Sequence, residues 1–201
     1  MPKYPTELVP NVLPITKRVN QVYLNNKGLF VMEGLDLALA EQLIQASRQP
    51  HILDNCPRDR RERFSSVESI QAWQQKGRLA LPLIKHVGDS AMTLVGFGWM
   101  GPEKPNEDYD YTAAAEITFA IRLYEEAVGQ NNSWPFTTAM LDAHQDEFGN
   151  NGVWLETSAD NKPALNTYRR AGFNQVDTRM VKVDDNEEER VLMILDDKLA
   201  A

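Results

Sequence analysis

Cysteine is nearly absent from this sequence, and positive charge is outnumbered by negative. Cys56 is the single cysteine, which excludes an internal disulfide and any multi-cysteine zinc motif. The three histidines, His51, His86 and His144, show no ligand spacing, so no metal is expected. Lysine and arginine together number 21 against 29 acidic residues, a formal net charge of −8. That balance argues against nucleic acid or an anionic membrane as the main partner. No apolar run approaches the roughly 20 residues needed to cross a bilayer. The N-terminal stretch also lacks a basic-then-apolar leader pattern, so a cytoplasmic location is the expectation. What remains is globular composition, 42% apolar and 25% charged over 201 residues, enough for one domain with its own core.

The informative stretch is Ala115 to Leu141. Ile117, Phe119, Ile121 and Leu123 alternate with Thr118, Ala120 and Arg122, the period of a strand, whereas Phe136, Ala139, Met140 and Ala143 recur at helical spacing. Between them lies a polar loop. Pro135 falls in the first turn of the helix, where its missing N–H would have had no intrahelical partner. A loop that leads into a helix N-terminus presents free N–H groups and the positive end of the helix dipole, which suits a pyrophosphate.

Before that stretch, Pro2, Pro5, Pro10 and Pro14 forbid regular structure, so residues 1–20 read as an extended arm and 21–201 as the domain. Gly28 to Gly34 encloses a short strand, and Asp36 caps a helix running to about Ser47. Pro50 to Arg63 reads as a loop carrying a basic cluster. Ser65 with Glu68 then forms a capping box for a second helix, which ends at Gly77. Leu79–His86 and Thr93–Met100 read as a hairpin about Gly88-Asp89-Ser90, and Gly101 to Thr112 as a polar connection. After the central helix come a short strand at Val153–Glu156 and a helix begun by Pro163 with Gly172 just past its end. Asn174–Val183 and Arg190–Leu195 form a terminal hairpin about the acidic run Asp184 to Glu189. Interleaving of this kind predicts an α/β layer fold with a mixed sheet.

Asn161, Ala164, Tyr168 and Gly172-Phe173 match, at unbroken spacing, the N..A...Y...GF segment of the GCN5-related N-acetyltransferase (GNAT) superfamily. The element order is similar too. The resemblance implies a GNAT-like α/β fold, a mixed and mostly antiparallel central sheet flanked by about four helices, with acetyl-CoA as cosubstrate. In that superfamily the loop before the central helix reads like Arg/Gln-x-x-Gly-x-Gly/Ala and holds the coenzyme diphosphate. Here it reads Val128-Gly129-Gln130-Asn131-Asn132-Ser133, followed by Trp134. Gly129 matches, or else Gln130 takes the first position with Ser133 and Pro135 following. Asn131 and Ser133 stand where glycines are usual, and asparagine is the other residue most at ease in the left-handed region. The resemblance further implies that the backbone of Ile121, Arg122 and Leu123 pairs with the pantetheine, and that Asn161 and Ala164 lie near that arm. Capping its own helix is the equal alternative for Asn161.

Moving an acetyl group from a thioester to an amine needs a neutral amine, a polarised carbonyl and a proton for the leaving thiolate. Tyr168, whose phenol has a reference pKa of about 10 against about 8.5 for a thiol, stays protonated and suits the donor, as the resemblance also implies; the alternative is that it packs on its helix face. Glu116 resembles the base of the histone acetyltransferase branch, and its alternative is a cross-strand partner for a cation. Arg58 to Arg63 reads as a solvated segment rather than a phosphate contact. Trp73, Trp99, Trp134 and Trp154 read as core or pocket wall. The acidic surface and terminal hairpin would tolerate a cationic acceptor. The sequence thus points to an N-acetyltransferase acting on a primary amine, whether a small amine, an amino acid or a protein N-terminus or lysine, with a homodimer left open. A coenzyme-binding sensor without turnover and a nucleotide binder using the same anion loop are the competing readings.

Overall fold

The computed structural model describes residues 22–24, 28–87, 91–107, 109, 115–183 and 186–195. The expected N-terminal arm and the Gly88–Ser90 turn lie outside them. Eight strands form one sheet in the order β1-β2-β3-β4-β5-β6-β8-β7. β1 is Val22–Leu24, β2 Leu29–Val31, β3 Leu79–Val87, β4 Ala91–Pro102, β5 Ala115–Leu123, β6 Gly152–Ser158, β7 Asn174–Val183 and β8 Asn186–Leu195. Every adjacent pair is antiparallel except β5 and β6. Those two are parallel because a helix, α4 (Ser133–Phe148), carries the chain back between them.

Alternation along the strands sends side chains to two cores, one on each face of the sheet. Ile117 and Phe119 of β5 join Phe136 and Met140 of α4 and Leu165, Tyr168 and Phe173 from α5 (Lys162–Arg170) and its end. On the other face Ala120 meets Phe97, Trp99 and the apolar side of α1 (Leu37–Ala46) and α3 (Val67–Gln74). α4 lies so close to β4 that a Cβ at Gly98 would sit 2.1 Å from the Met140 sulfur. Only glycine fits there. Among the described residues no helix is long and apolar enough to cross a membrane.

Several expected boundaries hold. Asp36 caps α1 by accepting from the Leu39 N–H at 2.8 Å, and Pro163 and Gly172 frame α5. Others move. β1 precedes the first expected strand and pairs with β2. The expected loop Pro50 to Arg63 is instead α2 (Pro50–Asn55) followed by a π-helix, Asp59–Arg63. Pro50 supplies a helix start and Ile52 an apolar residue that is buried. The capping box of α3 uses Ser66 and Ser69 rather than Ser65 and Glu68: Ser66 is the extended residue, and each serine oxygen accepts from the other's backbone N–H. β8 begins four residues early, so Glu187 to Glu189 belong to the strand, with Glu187 opposite Lys182.

Candidate functional site

β5 and β6 start together and then part. They pair over Ala115–Gly152, Ile117–Val153 and Thr118–Trp154, and no pairing joins Phe119–Leu123 to Leu155–Ser158. Beyond the split β5 is held by β4 and β6 by β8. The Tyr124 N–H reaches the Val95 oxygen at 3.0 Å, which fixes the phase of the ladder: even-numbered residues of β5 bond to β4, and Phe119, Ile121 and Leu123 turn their N–H and C=O groups into the gap. Two of those carbonyls have donors. Arg122 Nη1 reaches the Ile121 oxygen at 2.8 Å, and His51 Nε2 lies 3.0 Å from the Leu123 oxygen.

At the wide end of the split the chain turns through Glu125 to Asn131 into α4. Gly129 has φ +74° and Asn131 φ +58°, the one non-glycine residue with positive φ among those described. Asparagine therefore takes the left-handed position that a glycine was expected to hold. Asn132 follows in the right-handed region at φ −84°, ψ −19°, and adjacent residues of opposite hand turn their N–H groups toward one point. Asn132 is 1% exposed and gives no side-chain cap to the helix. Its Nδ2 bonds the Ala127 oxygen at 3.1 Å while its Oδ1 has no partner. The first-turn N–H groups of α4, at Ser133 and Trp134, are thus left for an incoming acceptor. Side chains do not fill the turn. A Cβ at Gly129 would meet nothing within 4 Å, Val128 is half exposed, and Gln130 folds back onto the Glu126 oxygen at 2.7 Å. A cavity of about 200 Å3 beside the loop is lined by Lys85, Gln130 and Asn132 among others.

Tyr168 is tied to this loop through α5. Ser133 Oγ meets Thr167 Oγ1 at 3.2 Å, and the Arg170 guanidinium lies 4.5 Å over the Trp134 ring. The Tyr168 ring packs edge-on to Phe119 at 6.2 Å and tilted to Phe173 at 5.8 Å. No described residue hydrogen-bonds its hydroxyl. Burial pushes the phenol up to about 12, against the downward pull of Arg122 and with Cys56 adding to the rise. The ring is fixed from the α4 and α5 side of the sheet, by its contacts to Phe119 and Phe173. Asn161 caps α5, accepting from the Ala164 N–H at 3.3 Å, and Ala164 packs half-buried against the core. Glu116 is elsewhere. It sits at the start of β5, its side chain 65% exposed and 3.9 Å from Lys104. Six residues at about 3.3 Å each separate it from Arg122, so the structure does not bring it to Tyr168; its neighbour is the cross-strand cation.

On the α1 and α3 side of the split sits a cluster that sequence reasoning missed. Asp59, 1% exposed, accepts from Arg122 Nε at 2.7 Å and Arg63 Nη1 at 2.9 Å. Burial opposes the Arg122 charge, but Asp59 more than restores it and holds the guanidinium above its usual pKa. Burial also pushes the Cys56 thiol and the Tyr124 phenol up. The signal was present in RDRRER, where two acids stand among four bases and one of them, Asp59, is buried. A π-helix that turns Asp59 inward is what converts a surface-looking run into a buried pair. Arg58, Arg60 and Arg61 remain exposed, as expected. Farther along, Tyr109 donates to Glu156 at 2.6 Å, and Arg179 pairs with the same carboxylate at 3.1 Å. Among the described residues no group of three metal-ligating side chains comes together.

No family model matches the chain, and no curated protein matches it. Solved structures do. A spermidine N-acetyltransferase from Vibrio cholerae, solved with CoA and spermine, is 14% identical with TM-score 0.65 over 85% of this chain and 96% of its own. A GNAT-family acetyltransferase from Bacillus anthracis is 10% identical with TM-score 0.61 over 85% and 95%. YncA of Salmonella typhimurium, solved with acetyl-CoA, is 13% identical with TM-score 0.59 over 84% and 94%. At these identities the likeness is one of fold: the chain is built on the acetyltransferase architecture these proteins share.

Proposed function

We propose that the protein is an acetyl-CoA-dependent N-acetyltransferase that moves the acetyl group to a primary amine by direct attack. The observation that carries this reading is the conjunction, on that fold, of parted β5 and β6, an open left-handed turn at an uncapped helix N-terminus, and a buried phenol on the helix tied to that turn. The turn Val128 to Trp134 would hold the diphosphate on backbone N–H groups, and the freed edge at Ile121 and Leu123 would align the pantetheine. For the Ile121 and Leu123 carbonyls to pair, Arg122 and His51 must give way or share.

In the reaction the amine nitrogen forms a bond to the thioester carbonyl carbon and the carbon–sulfur bond breaks. Tyr168 gives its proton to the departing thiolate and is reprotonated by the proton the amine loses. A phenol held near 12 is protonated across the physiological range, so the donor is always loaded. Glu116 is too exposed for a desolvated base, and water in the open split is the simpler route for the ammonium proton. The competing reading, a coenzyme-binding module without turnover, draws on that lack of a built base and on the two occupied carbonyls. Incubation with acetyl-CoA and a mixture of primary amines separates the two. Thiol release that depends on the amines, with product gaining one acetyl group, supports the enzyme; binding of acetyl-CoA without release supports the module.

A further inference from the structure

Acyl transfer needs a polarised carbonyl as well as a proton donor, and Tyr168 supplies only the second. The side chain of Arg122 stands where the first is needed. Its Nη1 donates at 2.8 Å to the Ile121 oxygen, one of the carbonyls that β5 turns into the gap, so the guanidinium itself lies at the split. Its side chain is 14% exposed. Asp59 meets it at one nitrogen only, accepting from Nε at 2.7 Å through Oδ2, because Oδ1 is taken by Arg63 Nη1 at 2.9 Å. The pair is therefore single-pronged rather than fork on fork. Nη2 is the nitrogen left over. No described residue accepts from it, and unlike the buried Nε of Arg78 it keeps contact with solvent.

Bonds at two different nitrogens fix the plane of the group, and Asp59, 1% exposed, is itself pinned by Arg63. Burial opposes the Arg122 charge but Asp59 more than restores it, so the side chain stays a cation. A donor that is charged, shielded from bulk water and already oriented stabilises developing negative charge with no reorganisation at the moment of reaction. The place fits as well. The diphosphate turn lies beyond the end of β5, and the pantetheine arm would run back along Leu123 and Ile121, so the thioester arrives just past the carbonyl that Arg122 holds. When a pantetheine N–H takes the Ile121 oxygen, the Nη1 hydrogen is released beside Nη2. Arg122 and the Tyr168 phenol also influence each other's protonation, so the two side chains lie within electrostatic reach.

We propose that Arg122 is a catalytic residue whose Nη2 donates to the oxygen of the thioester carbonyl and stabilises the negative charge that forms there, with Asp59 as the positioning residue behind it. As the amine nitrogen bonds to the carbonyl carbon, the π pair of the C=O bond moves onto oxygen. Arg122 holds that oxygen by hydrogen bonding and keeps its own proton. The pair then returns, the C=O bond re-forms, and the carbon–sulfur bond breaks with its electrons leaving on sulfur, which takes the Tyr168 proton. This rests on the acyl-transfer reading and gives it a group to polarise the carbonyl.

The test is infrared difference spectroscopy of acetyl-CoA carrying a heavy isotope at the carbonyl carbon, bound to the protein without an acceptor, a readout independent of turnover. A hydrogen bond from a guanidinium weakens the C=O bond, so the bound band is expected below that of the free coenzyme in water. Arg122→Gln should return the band toward the free position and lower kcat about a hundred- to a thousandfold, the worth of one oxyanion donor. Its dissociation constant for acetyl-CoA should stay within about threefold of wild type. Arg122→Lys, with the charge but not the fork, should fall between the two. Asp59→Asn, which loosens the guanidinium without removing it, should broaden the band and lower kcat less than Arg122→Gln does. A wild-type band at the free position overturns the proposal, and so does a lowered band that survives in Arg122→Gln. Should Arg122→Gln leave Asp59 unpaired and fail to fold, the double change with Asp59→Asn removes both charges together and is read in the same way. If the protein binds and turns over acetyl-CoA with a band that Arg122 does not affect, this inference alone falls. If it does not bind acetyl-CoA at all, the acyl-transfer reading falls and takes this one with it.

Discussion

Replacing Tyr168 by phenylalanine removes one oxygen from a ring whose packing is otherwise set by Phe119 and Phe173. Since no described residue hydrogen-bonds that hydroxyl, its loss strands no partner, and the fold should change by less than about 1 kcal/mol. For a chain of this size that is a shift in Tm of at most about 4 °C. Proton donation to a leaving group contributes roughly a hundred- to ten-thousandfold, or about 3–5 kcal/mol of barrier. The variant should therefore lose about a hundredfold or more in kcat while keeping its dissociation constant for acetyl-CoA within about twofold. Steady-state kinetics by thiol release, with calorimetric titration of acetyl-CoA and a thermal melt on the same sample, give the three numbers. A Tyr168→Phe protein that keeps full kcat would refute the donor assignment. One that loses coenzyme binding together with activity would show the hydroxyl to be a binding group instead.

Alkaline pH acts on the same ring. Burial raises the Tyr168 phenol from 10 to about 12 in the folded protein, so the neutral form is the one the fold favours. The associated stability is intact below pH 10 and is lost as pH climbs through about 12, and urea midpoints measured across that window should fall more steeply in wild type than in Tyr168→Phe. Asp59→Ala leaves Arg122 buried without its carboxylate and should cost about 3–5 kcal/mol, whereas Arg58→Ala breaks a pair whose partners are 65% and 54% exposed and should cost less than about 0.5 kcal/mol by urea denaturation. Asn131→Gly relieves a left-handed residue and should leave acetyl-CoA affinity intact or tighter; Asn131→Val forces a β-branched side chain to φ +58° and should weaken it about tenfold, as read by titration. Glu116→Gln, an exposed change at the far end of β5, should alter kcat/KM by less than about threefold.

The fold was legible where local rules and global architecture agree. Asp36, Pro163 and Gly172 are punctuation with a single physical meaning, and they mark α1 and α5 as expected. The alternation from Ile117 to Leu123 and the spacing from Phe136 to Ala143 gave β5 and α4 because each buries one face. The turn between them was legible in kind: asparagine at position 131 takes the left-handed geometry. Backbone recognition left fewer marks. That β5 and β6 separate after Thr118 is a matter of register, and strand residues look the same whether or not a neighbour pairs with them. The buried charge cluster was not legible. RDRRER has the composition of a solvated loop, and only the π-helical turn, which places Asp59 inward and Arg60 outward, separates the buried acid from its exposed neighbours.

The account depends on the turn through Gly129 and Asn131 closing on a diphosphate that belongs to a thioester-bearing coenzyme. Calorimetric titration of the wild-type protein with acetyl-CoA, CoA and ATP tests that directly. Acetyl-CoA and CoA are expected to bind with one site and with affinity at least about tenfold above ATP, since ATP supplies phosphates but nothing to lie along the freed edge of β5. Equal or tighter binding of ATP, or no heat from either coenzyme form, would contradict the account and leave the architecture without this chemistry.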